Sequence, residues 1–62
     1  MQEEVNMLED LIDQLTAARS DYNKFYSDGN SAAGTRVRKL MQEVKNSAQL
    51  LRLHIQETKN NA

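Results

Sequence analysis

The run Gly29-Asn30-Ser31-Ala32-Ala33-Gly34-Thr35-Arg36-Val37-Arg38-Lys39 sets three bases in what reads as the opening turns of a helix. Cations at a helix start oppose the macrodipole at a cost on the order of a few tenths of a kcal/mol each, so something other than helix stability favours them. An anion is the natural answer. Exposed amides at the helix start, small residues that permit close approach and guanidinium groups from Arg36 and Arg38 can together hold a phosphate. Lys24, before the turn, adds a base to the same end of the chain. The competing reading is a solvated basic helix start.

Other chemistries fare worse. His54 is the only histidine and Leu51 stands where a Glu-x-x-His metal pair needs its glutamate, so no metal site is expected. Glu9 and Asp13 share a helix face, but a solvated face paired with bases explains them better than general acid/base work. No serine comes within reach of His54 in any predicted register, and with Cys 0 there is no thiol nucleophile and no disulfide framework. A conventional enzyme fold does not fit in 62 residues, so no catalytic residue, cofactor or small-molecule substrate is expected. Tyr22, Phe25 and Tyr26 could stack on bases, yet their spacing favours closing a hairpin core near the turn. Arg19 is expected across from Leu40 and Glu43, in a structural salt bridge.

These residues need two helices to position them. Met1, Val5, Leu8, Ile12, Leu15, Tyr22 and Tyr26 recur at three and four, interrupted at Arg19, with Leu11, Ala18 and Phe25 widening the stripe on one side. Ser27-Asp28-Gly29-Asn30-Ser31 breaks the pattern: Gly29 can take positive φ, and Asn30 or Ser31 can cap a second helix. The second stripe is Ala33, Val37, Leu40, Met41, Val44, Ala48, Leu51 and Ile55. Pro 0 and Gly 2 agree with long uninterrupted helices. The expectation is one all-α domain over 1–62, an antiparallel two-helix hairpin with helix 1 over about 2–27, a turn at 28–31 and helix 2 over about 32–59.

Folding the stripes together sets Tyr26 near Ala33, Tyr22 near Val37, Leu15 near Val44 and Leu8 near Leu51. Glu9 then nears Arg52, Asp13 nears Lys45, and Glu3 or Glu4 nears Lys59, leaving Arg36, Arg38, Lys39 and Lys24 uncompensated at the turn end. The formal net charge of -1 hides this gradient, since residues 1–15 carry five acids and no base. One buried face per helix is a small core, so self-association into a dimeric four-helix bundle is expected. Leu50 and Leu53 lie off the stripe and are the expected oligomer interface. No apolar run approaches the roughly 18 residues of a membrane span, and the acidic N-terminus lacks the basic start of a signal peptide, so a cytoplasmic protein without membrane association is expected.

The chain also resembles the bacterial histone H1-like nucleoprotein family, the chlamydial Hc type and its short relatives, over roughly Asp21–Asn60. The likeness rests on Gly29-Asn30, Ala32-Ala33, Arg36 and Arg38 one residue apart, and a long helix with Lys39, Lys45, Arg52 and Lys59, together with Lys24-Phe25 and Ser47-Ala48 through Arg52. The resemblance implies DNA association and nucleoid organisation, with Arg36, Arg38 and Lys39 as the transferable basic positions. DNA-compacting Hc-type proteins carry a long Lys/Ala-rich tail, whereas this chain ends at Asn60-Asn61-Ala62. Lys24, Arg36, Arg38 and Lys39 are therefore the expected sequence-independent phosphate contacts. The rival expectation is a helical oligomerisation or adaptor module that binds a protein through Leu50 and Leu53.

Overall fold

The computed structural model describes residues 2–61, with side chains from Asn6 onward. Two helices, α1 (Gln2–Asp28) and α2 (Ser31–Asn61), pack against each other, and no strand is present among the described residues. Expectations for Met1, and for the side chains of Glu3, Glu4 and Val5, lie outside the described residues.

Only Gly29 and Asn30 separate the helices, and each has a defined task. Gly29 adopts φ 65°, the left-handed conformation that a Cβ disfavours, and its N–H donates to the Phe25 carbonyl at 3.1 Å. The Asn30 N–H donates to the Lys24 carbonyl at 3.3 Å, so two orphan carbonyls of α1 are satisfied. Asn30 then caps α2. Its Oδ1 accepts from the Ala33 N–H at 3.0 Å and its carbonyl from the Gly34 N–H at 3.2 Å.

A chain reversed in two residues must run antiparallel, and the cross-helix contacts agree: Asp21 meets Arg36 near the turn, and Gln14 meets Ser47 further along. The helices meet along Met7, Leu11, Gln14, Ala18, Asp21 and Phe25 on α1, and along Ala33, Val37, Leu40, Val44, Ser47, Leu51 and His54 on α2. Both sets step by three and four, the periodicity of one helix face. Close approach at the turn end is set by small residues. Ala33 is 0% and Ala18 7% exposed, and the Phe25 ring covers Gly34 so tightly that a Cβ there would lie 2.5 Å from Cδ1.

This seam corrects the expected core. Leu8, Ile12, Leu15, Tyr22 and Tyr26 form the longest apolar stripe of α1, yet they remain between 45% and 70% exposed. The set that widened it, Leu11, Ala18 and Phe25, turns toward α2 instead. The physical reason is bulk: short side chains at Ala18, Ala33 and Gly34 let the backbones approach, and this sets the rotation of both helices. The seam is also partly polar. Gln14 Nε2 reaches Ser47 Oγ at 3.4 Å, while Gln14 Oε1 and His54 Nδ1 are enclosed with no hydrogen-bond partner among the described residues.

Candidate nucleic-acid interface

The four bases expected at the turn end divide between the two flanks of the hairpin. Arg36 faces Asp21. Its Nε donates to Asp21 Oδ2 at 3.0 Å and its Nη2 to Oδ1 at 2.9 Å, a forked pair across the helices and the single ion pair among the described residues. The expectation that Arg36 is uncompensated is thereby corrected: with a two-residue turn, Asp21 and Arg36 fall at the same height. The hydrogen bonds from Arg36 hold the Asp21 carboxyl below its usual range, helped by the nearby charges of Arg36 and Lys24, and the Arg36 guanidinium is shifted up in turn. Lys24 shares this flank one turn from Asp21, and Lys39 joins it three residues after Arg36. Both are exposed.

Arg38 lies on the opposite flank. There it lines a hollow with Tyr22, Phe25, Tyr26, Ser31, Gly34 and Val37. The aromatic rings pack on each other, Tyr22 against Tyr26 tilted at 50° and Phe25 against Tyr26 edge-on at 81°, both with centroids 4.8 Å apart. Phe25 closes the hairpin over Gly34 as expected of the aromatic group, whereas Tyr22 and Tyr26 stand on the surface beside Arg38. A second hollow continues along this flank, lined by Leu15, Ala18, Arg19, Tyr22, Val37 and Met41. Arg19 sits here, and no salt bridge from it to Glu43 forms, nor from Glu9 to Arg52 or Asp13 to Lys45.

The start of α2 is less open to an anion than its sequence implies. The Ala33 and Gly34 amides are already satisfied by Asn30, and the small residues Ala33 and Gly34 are occupied by the neighbouring helix. What remains available is side-chain charge: the exposed Arg38, Lys24 and Lys39, and an Arg36 side chain that stays 54% exposed while paired. Leu50 and Leu53, the expected oligomer interface, are 62% and 45% exposed on α2.

Two functional elements escaped the sequence reading. Asp21 takes no part in the sequence argument, although its separation from Arg36 across the turn identifies a pair. Gly34 was counted as room for a ligand, although its fit beneath an aromatic one turn before a helix stop marks a helix crossing. Among the described residues no cluster of three or more His, Asp or Glu side chains gathers, and no helix is long and apolar enough to cross a membrane.

No curated protein and no solved structure matched the chain. The family described as histone H1-like protein Hc1 matches residues 2–61, so the likeness carried by Asp21–Asn60 extends through α1 as well. A helical hairpin with basic side chains around its turn, matched by this family over nearly its full length, belongs to the histone H1-like protein Hc1 family.

Proposed function

We propose that this protein binds DNA as a nonenzymatic, nucleoid-associated protein of the cytoplasm, through sequence-independent phosphate contacts. The observation that carries the reading is the family match together with four bases around one turn, three of them in the second and third turns of α2. Arg38, Lys24 and Lys39 serve as phosphate contacts, and Arg36 contributes from its partly exposed pair with Asp21. Contacts of this kind recognise charge and not base edges, so affinity depends on salt and hardly on sequence.

The protein acts as a homodimer or larger assembly. Among the described residues only Ala18 and Ala33 of the apolar set are buried, while Leu8, Ile12, Leu15, Tyr22, Tyr26, Met41 and Ile55 lie exposed on one flank and Leu50 and Leu53 elsewhere on α2. The molecule measures 50 × 17 × 11 Å, so its broad face is of the size that a standard interface takes from each partner, about 800 Å². A second hairpin on that face completes a four-helix bundle. The exposed Leu50 and Leu53 also support the rival reading, an adaptor that binds another protein.

Electrophoretic shift on two unrelated duplexes separates the readings. Replacing Arg36 and Arg38 with alanine weakens binding similarly on both duplexes and leaves helicity unchanged. Intact DNA binding in that double variant would move the contacts away from the turn end, and none in the wild type at about 50 mM salt would favour the adaptor.

A further inference from the structure

Half of the chain's 8 Lys and Arg residues occupy a single register of α2: Arg38, Lys45, Arg52 and Lys59, each seven residues after the last. At about 1.5 Å per residue they stand about 10.5 Å apart and span about 32 Å of one helix edge. All four are exposed. Each stands four residues beyond a member of the row Gly34, Met41, Ala48 and Ile55, so the bases border the apolar flank along its length.

Two ordinary explanations for such a row fail. Pairing within α2 needs an acid three or four residues away, and none of the four bases has one. The acids of α2, Glu43 and Glu57, each lie two residues before a base of the row, about 200° around the helix. Pairing across a bundle interface needs a matching acidic register on the facing edge. The equivalent register of α1 reads Val5, Ile12, Arg19 and Tyr26, with no acid, and the next one outward, Gln2, Glu9, Thr16 and Asn23, holds one. Among the described residues no salt bridge answers these four cations, and a regular row of cations matches a regular external polyanion.

We infer that the edge of α2 formed by Arg38, Lys45, Arg52 and Lys59 is a linear track for the phosphate backbone of duplex DNA, which lies along α2 and does not merely touch the turn. The inference rests on the DNA-binding proposal and extends its site from one end of the hairpin to the whole length of α2. Arg38 belongs to both and joins them. The row lies outside the apolar flank, so a second copy covering Leu8, Leu15 and Met41 leaves the track at the rim of the bundle.

The test is fluorescence anisotropy on a duplex of about 20 base pairs between roughly 50 and 200 mM salt, with helicity monitored by circular dichroism. The variant K45Q/R52Q/K59Q retains every turn-end base and is expected to lose about tenfold or more in affinity at the lower salt. Its log–log salt slope should flatten by about 2.7 per protomer, three contacts at about 0.9 each. The charge-preserving variant K45R/R52K/K59R should bind as the wild type does, which excludes a folding defect as the cause. Wild-type binding with an unchanged slope in the neutral variant overturns the track while leaving the turn-end reading intact. A wild type that binds anionic phosphatidylserine vesicles but no duplex overturns both.

Discussion

The two flanks of the hairpin differ in how their charge is answered. On one, Asp21 and Arg36 close a forked pair, Lys24 sits a turn away, and the acids Asp10 and Asp13 share the side. On the other, Tyr22, Tyr26, Leu15 and Met41 lie open beside Arg19 and Arg38, and basic residues line the edge of α2. The first flank answers one of its bases with a carboxylate; the second leaves its apolar and basic side chains open. A net charge of -1 is thus an average over a compensated surface and a basic, apolar one, and the local field decides what approaches.

The largest effect expected from breaking this contrast comes from charging the open flank. Ile12→Glu with Leu15→Glu removes two apolar anchors, worth roughly 1.5–3 kcal/mol each if a second copy buries them. The Tm should fall by about 10 °C or more and lose its rise with protein concentration, as sedimentation shifts toward monomer. Leu50→Glu with Leu53→Glu should have the smaller effect. The reverse order assigns assembly to Leu50 and Leu53 instead.

Next comes the point where the helices approach most closely. Gly34→Val puts a branched side chain where a Cβ already meets Phe25 Cδ1 at 2.5 Å, costing about 1–3 kcal/mol in thermal or urea unfolding. Phe25→Ala in the same chain should recover part of that loss, and additive losses would show that the ring and the glycine do not act as a unit. At the turn itself, Gly29→Ala forces a Cβ into φ 65° for about 1 kcal/mol, measurable as a lower urea midpoint with unchanged slope.

The smallest effect belongs to the compensated flank. Asp21 has a depressed folded-state pKa, so its contribution is present above the usual carboxylate pKa of about 3.9 and disappears as pH falls through its lower folded value. Wild type and Asp21→Asn should therefore differ slightly at neutral pH and converge in acid below about pH 4. A difference that grows on acidification would contradict the pairing. Because both partners are solvent-accessible, salt should shrink the neutral-pH difference.

Much of the architecture was readable in the sequence. The turn formers from Ser27 to Ser31 announce the reversal, Gly29 takes positive φ and Asn30 caps, each by chemistry local to a few residues. What the periodicity could not supply was rotation about each helix axis. Leu8, Ile12 and Leu15 outrank Leu11 and Ala18 in hydrophobicity, so a pattern argument points them inward. The pair packs through its smallest residues, because backbone approach and a polar seam of Gln14, Ser47 and His54 depend on both helices at once. The candidate site was legible as composition and illegible as geometry: Lys24, Arg36, Arg38 and Lys39 do stand around the turn, but Asp21 answers Arg36 and Arg38 borders the aromatic hollow.

The central claim, that local basic charge draws this chain to the DNA backbone, is tested most directly by the salt dependence of wild-type affinity on two unrelated duplexes. With about three phosphates or more neutralised per protomer, a dimer should show a log–log slope of about -5 or steeper between about 50 and 200 mM salt, alike for both sequences. A slope near zero, a strong preference for one duplex, or no binding at about 50 mM would contradict it.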